Sequence, residues 1–168
     1  MINVQRGGMT HRECKDASKK ASEGWSIQQA DWRDYVPLNA LERTCFGSQD
    51  IWPFWDLIGA LTLPGLVRLK AVVEGSMVGF IGGEREPGRR VGWVTTLAVL
   101  PAYRRKGIAV SLLSACEKEL AMPSIRLSVR ASNEPAIRLY ESEGYAVIDR
   151  WNKYYAGGED ALVFEKKR

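Results

Sequence analysis

LAVLPAYRRKGIA, residues 97–109, is the most informative stretch of the sequence, because an apolar strand, a proline, a short basic turn and a helix start follow one another in it. The first turn of a helix presents unpaired backbone N–H groups and a partial positive charge of roughly +0.5. Gly107 lets an anion approach those groups without an intervening side chain, and Ala109 keeps the next turn low. This order of parts predicts a diphosphate site. The basic turn alone would equally fit an ordinary helix start with solvated side chains.

Apolar periodicity on both sides of this stretch predicts eleven elements of secondary structure. In chain order they are a strand from Trp25, helices over 33–46 and from Phe54, strands over 67–75, 77–86 and 91–100, a helix from near Arg105, a strand over 125–130, a helix from Ser132 to Gly144, and strands over 145–151 and 160–166. This order predicts an α/β (α+β) fold, in which helices cover a mixed sheet.

The composition is that of a globular protein with a small basic excess. Of the 168 residues, 45% are hydrophobic and 26% are charged, and the net charge is +4. Residues 1–24 carry five basic and three acidic side chains, and we expect them to form a polar, mobile leader ahead of one domain over 25–168. Because half of the net charge lies in that leader, nucleic acid is a disfavoured partner. No segment approaches the roughly 20 apolar residues that cross a bilayer, so we expect no membrane partner.

Cysteine and histidine are too sparse for metal or histidine-assisted nucleophilic chemistry. The three cysteines lie far apart, and the single histidine, His11, lies in the polar leader. This pattern predicts neither a disulfide framework nor a metal site. Reduced thiols favour the cytoplasm.

Two motifs together carry a resemblance to a known family. Arg104-x-x-Gly107-x-Ala109 after a strand resembles the acetyl-CoA signature of the GNAT superfamily of N-acetyltransferases, and residues 129–145 resemble its second signature. The resemblance extends over about 67–165 and is closest to the branch that acetylates protein N-termini, the RimI-type ribosomal-protein alanine acetyltransferases and their relatives. It implies a mostly antiparallel sheet of about seven strands flanked by four helices. It also implies acetyl transfer from acetyl-CoA to a primary amine, by direct attack in a ternary complex.

The resemblance implies a donor site along the quoted stretch. Backbone groups near Leu97 and Val99 would pair with the pantetheine arm, and N–H groups of 105–109 would hold the diphosphate. Plain core packing remains open for Leu97 and Val99, and a simple helix cap remains open for Asn133. The implied cofactor contacts are Leu97, Ala98, Val99, Arg104, Arg105, Lys106, Gly107, Ile108, Ala109, Asn133 and Tyr140.

Tyr140 is the catalytic acid that the resemblance implies. Transfer to an amine expels the thiolate of CoA, and a phenol with a pKa near 10 is protonated at neutral pH and can donate to it. By spacing alone, Tyr140 would be a core aromatic residue. The resemblance further implies that Phe46, Tyr154 and Tyr155 line the acceptor channel, although core or strand-edge packing is open for each of them.

The general base departs from the family pattern. Relatives commonly carry Glu or His at the position of Ser128, and a serine does not usefully accept a proton from an amine at pH 7. Glu42 and Asp50 could act through water, or could be solvated surface charges. An α-amine has a pKa of about 7.7–8.0, so roughly a fifth to a third is neutral near pH 7.4, whereas a lysine is almost fully charged. A site without a strong base therefore favours a protein or peptide N-terminus.

Other functions remain open at this point. The same donor motifs would fit an acetyltransferase for a small-molecule amine, or a CoA-binding regulatory protein without catalysis. The sequence does not distinguish a monomer from a homodimer.

Overall fold

The computed structural model describes residues 24–47 and 53–168, so the expected leader and Asp50 lie outside the described residues, apart from Gly24. The described residues form seven strands and four α-helices in the predicted order. The strands are β1 (Ser26–Gln29), β2 (Val67–Val73), β3 (Ser76–Glu86), β4 (Val91–Val99), β5 (Ser124–Arg130), β6 (Ala146–Tyr155) and β7 (Glu159–Lys167), and the helices are α1 (Tyr35–Cys45), α2 (Phe54–Thr62), α3 (Ile108–Leu120) and α4 (Glu134–Ser142).

The strands form one sheet in the order β1-β2-β3-β4-β5-β7-β6. Every neighbouring pair is antiparallel except β4 and β5, which are parallel. This confirms the expected mixed, mostly antiparallel sheet. The parallel pairing covers only Val91–Val94 and Ser124–Leu127. Beyond Val94 the two central strands are no longer paired with each other, which leaves a fork in the middle of the sheet.

An apolar core lies on each face of the sheet, because side chains alternate between the faces along a strand. On the face covered by α3 and α4, Ile125, Leu127 and Val129 of β5 are all buried. On the opposite face, covered by α1 and α2, Phe80 and Ala98 are buried. Among the described residues, no helix is long and apolar enough to cross a membrane.

Helix α3 packs directly on the sheet backbone. A Cβ at Gly83 would lie 2.9 Å from Cys116 Sγ, and one at Gly92 would lie 3.1 Å from Leu120 Cδ1, both on α3. The first distance is too short for a real side chain and the second is tighter than usual, so the glycines allow the close approach of α3 to β3 and β4. This packing fixes the first turn of α3 beside the end of β4.

A bulge lies next to the fork. Gly82 pairs with Thr96 and Gly83 pairs with Val94, so Thr95 is an extra residue in β4. Thr95 is exposed, and a Cβ at Gly82 would meet its Oγ1 at 2.9 Å. A bulge redirects side chains locally, and here it does so where β4 separates from β5.

Candidate active site

The turn before α3 presents a row of backbone donors. Arg105 has φ +64° and Gly107 has φ +81°, both in the left-handed region. The first bond of α3 runs from Ser111 N–H to Gly107 O at 3.0 Å. Within the described ranges, the N–H groups of residues 105–110 donate to no backbone or side-chain acceptor. Consecutive N–H groups in such a turn form a concave anion site, which fits the diphosphate of a CoA thioester.

The three basic side chains of the turn differ in position. Arg104 Nε donates to Val99 O at 3.0 Å, which ties the turn to the end of β4. The ammonium group of Lys106 lies 5.0 Å from the ring centre of Tyr103. Arg104 and Arg105 line the cavity described next, whereas Lys106 does not.

A cavity of about 570 Å³, here called the turn cavity, extends from this turn along β4. Every residue that the sequence predicts as a cofactor contact, except Lys106, lines this cavity. Leu97 and Val99 also pack in the core under α3, which confirms the core interpretation, and pairing of their backbone with the pantetheine arm stays a prediction. The turn cavity is lined by Cys45, Phe46, Leu97, Ala98, Val99, Tyr103, Arg104, Arg105, Gly107, Ile108, Ala109, Val110, Asn133, Pro135, Ala136, Leu139 and Tyr140.

Two predicted site residues at α4, Asn133 and Tyr140, line the turn cavity and also stabilise the fold. Asn133 caps α4, because its Oδ1 accepts from Ala136 N–H at 3.3 Å, and it also lines the turn cavity. Tyr140 is 7% exposed and packs against the rings of Tyr145 and Phe164, at centroid distances of 5.9 and 6.1 Å. It is therefore both a core aromatic and a wall of the cavity.

The electrostatic environment keeps the Tyr140 phenol protonated. Burial, and to a lesser degree the nearby Tyr155, raises the pKa of Tyr140 far above its usual value. In the described part of the chain its hydroxyl forms no hydrogen bond. The Tyr140 hydroxyl is thus protonated at neutral pH, and no other described residue accepts a hydrogen bond from it.

Two side chains of α1, Cys45 and Glu42, have surroundings that the sequence alone does not reveal. Cys45 lines the turn cavity, but burial raises the pKa of its thiol, with a smaller contribution from Glu42 and an opposing effect of Arg104. Glu42 is only 1% exposed. The interpretation of Glu42 as a solvated surface charge is therefore wrong. Glu42 lines neither the turn cavity nor the second cavity, which is described next.

A second cavity, of about 560 Å³, lies on the face of the sheet opposite α3 and is here called the aromatic cleft. Trp93 lies 6.0 Å from Trp151, and Trp151 lies 5.0 Å from Tyr154, between ring centres, so one wall is a row of aromatic rings. The cleft is lined by Glu84, Arg85, Glu86, Trp93, Val94, Thr95, Ser128, Trp151 and Tyr154.

The three predicted acceptor residues lie in different places. Tyr154 lines the aromatic cleft and Phe46 lines the turn cavity. Tyr155 lines neither of these two cavities; its ring contacts that of Tyr154 at 5.1 Å, and the guanidinium of Arg130 lies 4.4 Å from its ring centre. Trp93 is not among the residues that the resemblance implies, and its alternation with Thr95 on one face of β4 is the sequence signal for it.

The two cavities adjoin consecutive stretches of β4, beside the fork between β4 and β5. Residues 93–95 line the aromatic cleft, residues 97–99 line the turn cavity, and Thr96 lies between them. Ser128, which also lines the cleft, is the first residue of β5 beyond the paired stretch. A donor held by the turn and an acceptor held in the cleft can therefore approach each other through the fork.

Comparison with known proteins identifies the family of this chain. Residues 25–145 match the model of the acetyltransferase (GNAT) family. The N-alpha-acetyltransferase of Saccharolobus solfataricus is 37% identical over 164 residues, covering 89% of this chain and 97% of that protein. The catalytic subunit NAA10 of the N-terminal acetyltransferase A complex of Arabidopsis thaliana is 31% identical, covering 83% of this chain and 76% of that protein.

Among solved structures, the ribosomal-protein-S18-alanine N-acetyltransferase of Escherichia coli matches with a TM-score of 0.75 and 24% identity, over 85% of this chain and 93% of that chain. That similarity is one of fold. The chain belongs to the GNAT family of acetyltransferases.

Proposed function

We propose that this acetyltransferase transfers the acetyl group of acetyl-CoA to the N-terminal α-amine of a protein or peptide. The observation that carries the proposal is that the turn cavity and the aromatic cleft adjoin consecutive stretches of β4 at the β4–β5 fork. A ternary complex needs two neighbouring binding sites, and this arrangement supplies them. The free thiols Cys45 and Cys116 are compatible with a cytoplasmic enzyme, and that location stays a prediction.

The donor side of the site fits acetyl-CoA, which supplies an activated acetyl thioester. The N–H groups of 105–110 would hold its diphosphate, with Arg105 adding charge. Among the strands that the structure describes, the backbone of 97–99 pairs with β3 on one side and with none on the other. It would therefore bind the pantetheine arm as an added strand would pair. Asn133 would shape the groove beside that arm.

Tyr140 would protonate the departing thiolate. Its raised pKa and its place in the wall of the turn cavity support this role. Cys45 lines the same cavity, but burial raises the pKa of its thiol, and none of the described residues that line the cavity is a histidine. These features support direct attack by the acceptor amine over an acyl-cysteine route.

The acceptor is an α-amine rather than a lysine for a chemical reason. Ser128 stands where relatives carry Glu or His, so the amine that reacts most readily here is one that loses its proton easily. The α-amine pKa of about 7.7–8.0 meets that condition, and the lysine pKa of about 10.4 does not. The names of the relatives from Saccharolobus solfataricus and Arabidopsis thaliana support the same acceptor class.

Two peptides of matched sequence test the proposal. One has a free α-amine and no lysine, and the other has an acetylated N-terminus and one internal lysine. We expect release of CoA and a mass increase of one acetyl group with the first peptide and at least tenfold less with the second. Equal rates on both peptides would contradict the proposal, as would acetylation of a polyamine or an amino sugar but neither peptide. Binding of acetyl-CoA without turnover of any amine would indicate a regulatory protein.

A further inference from the structure

We propose that Glu84 on β3 takes the proton that the acceptor's α-ammonium must lose, and thereby replaces the base that is missing at position 128. This inference rests on the proposed function, because it concerns the acceptor side of the same site. Glu84 lines the aromatic cleft together with Ser128, although it lies two strands away from it.

The alternation along β3 directs Glu84 into the cleft. Its two neighbours belong to the face covered by α3: a Cβ at Gly83 would meet Cys116 there, and Arg85 Nε donates to Leu120 O at 3.0 Å. Successive side chains point to opposite faces of a sheet. Glu84 therefore lies on the face of the aromatic cleft, in direct register with Trp93 of β4.

The distance between the strands lets Glu84 serve an amine at the fork. Neighbouring strands lie about 4.8 Å apart, so β3 and β5 are separated by roughly 10 Å, with β4 between them. An amine above Thr95, where the fork begins, would lie about 5 Å to the side of β3 and roughly 7 Å along the strand from Glu84, which is in register with Trp93. A glutamate side chain covers such a distance through one water molecule, which is sufficient for proton transfer.

Glu84 differs from the neighbouring acidic residues in its partners. Glu86 pairs with Arg89 at 3.2 Å, Glu159 pairs with Arg130 at 2.8 Å, and Asp160 pairs with Arg150 at 2.8 Å. The side chain of Glu84 is exposed and has no ion pair or hydrogen bond among residues 24–47 and 53–168. Its charge is thus available to a cation that enters the cleft.

The aromatic wall favours the same cation. A protonated amine within about 6 Å of a tryptophan face is attracted to it, by roughly 0.5–1 kcal/mol at an exposed site and more where water is excluded. Trp93 stands in register with Glu84 and 6.0 Å from Trp151. The cleft therefore combines one carboxylate with two indole rings, which suits an α-ammonium group at the end of an extended peptide.

The protons of the reaction balance with this assignment. The acceptor nitrogen begins with three protons, forms a bond to the acetyl carbon as the carbon–sulfur bond breaks, and ends with one proton. The first of its two lost protons passes to Glu84 and then to solvent. Tyr140 gives a proton to the sulfur, and the second proton lost by nitrogen restores Tyr140 through water. The net products are the acetylated peptide, CoA and one proton.

The test compares the wild-type protein with Glu84→Gln and Glu74→Gln on one lysine-free peptide, at saturating acetyl-CoA, from pH 6.5 to 9. In Glu84→Gln only the amine that is already neutral reacts, and that fraction is about 5% at pH 6.5 and about 94% at pH 9 for a pKa near 7.8. We therefore expect kcat/KM of Glu84→Gln relative to wild type to be about 20-fold lower at pH 6.5 than at pH 9. Glu74→Gln removes an exposed carboxylate in the turn between β2 and β3, outside both cavities, and is expected to show the same ratio at every pH.

A second measurement does not depend on turnover. Calorimetry at pH 6.5 in the presence of CoA compares the free-amine peptide with its N-acetylated form. Wild-type protein is expected to bind the free amine more tightly, and Glu84→Gln is expected to lose that preference. Thermal unfolding at the wild-type temperature shows that the variant is folded, as expected for an exposed side chain.

The outcomes separate this inference from the proposed function. A Glu84→Gln profile parallel to that of the wild type, or an equal pH-dependent loss in Glu74→Gln, overturns the role of Glu84 and leaves N-terminal acetylation standing. Failure of the wild-type protein to acetylate the peptide overturns the proposed function and this inference with it.

Discussion

Replacing Gly107 by alanine separates anion binding from backbone strain in the turn before α3. Gly107 has φ +81°, and a Cβ added there would meet no protein atom within 4 Å. The added methyl group therefore meets no steric clash within the described protein and projects beside the row of N–H groups. Gly75, in the hairpin between β2 and β3, has the same φ of +81° and equally open surroundings, so Gly75→Ala is a matched control.

Both substitutions should lower the free energy of unfolding by a similar amount. A left-handed conformation costs an L-residue roughly 1–2 kcal/mol, partly offset by about 0.4–1 kcal/mol from the restricted unfolded chain. A net loss of about 1 kcal/mol lowers the Tm of a domain of this size by roughly 2–4 °C. Urea and thermal unfolding of the two variants measure this shared effect.

Only Gly107→Ala should weaken binding of CoA. A hydrogen bond to a charged group is worth about 1.5–3 kcal/mol, so losing one bond to the diphosphate raises Kd by roughly 10- to 150-fold. Calorimetric titration with CoA gives Kd for each variant, and Gly75→Ala should keep the wild-type value. If both variants bind CoA as the wild type does, or both lose affinity equally, the turn is not the diphosphate site.

The remaining predictions concern the acid and the stability at low pH. Tyr140→Phe should lower kcat by about 100-fold with little change in KM for acetyl-CoA, whereas Tyr145→Phe, which loses a 2.8 Å hydrogen bond to Glu117, should lower stability and leave kcat near wild type. Unchanged turnover in Tyr140→Phe would remove its assigned role. The Ser124 hydroxyl and Arg126 hold the pKa of Glu165 below its usual value near 4.5, so its contribution to stability is present above that pH and is lost as pH falls through the folded-state pKa. Urea unfolding at pH 7 and pH 3 should therefore show a smaller difference in Glu165→Gln than in the wild type, and an equal difference would contradict this account.

The turn before α3 could be predicted from the sequence because its determinants are local. An apolar strand, a proline and a glycine before an amphipathic helix fix the conformation within a dozen residues. The helix begins at Ile108 rather than near Arg105, because Arg105 and Gly107 adopt positive φ and delay its first turn. The same positive φ values create the donor row, so the difference in the helix start is also the functional feature.

The helical spacing of α1 predicts that Glu42 is buried, whereas its residue type predicts that it is exposed. Glu42 lies four residues after Leu38 and three before Cys45, on the side of α1 that faces the sheet. Helical spacing places it on the buried face, whereas a carboxylate is normally found in solvent. Here the position in the helix decides the burial.

The aromatic cleft depends on contacts that no local pattern specifies. Trp93 and Trp151 are 58 positions apart in sequence, and their rings meet across β5 and β7, the two strands that lie between β4 and β6 in the sheet. Glu84 joins them through the register of β3 with β4. Side-chain alternation can assign each residue to a face, but only the strand order brings the three onto one cleft.

Binding of the donor through its diphosphate can be measured directly by titrating the wild-type protein with CoA and, separately, with pantetheine, which lacks the diphosphate. We expect heat from CoA that fits one site per chain, and binding of pantetheine at least 100-fold weaker. An absence of heat with CoA in folded protein, or equal affinity for the two compounds, would contradict the assignment of residues 105–110 as the donor site.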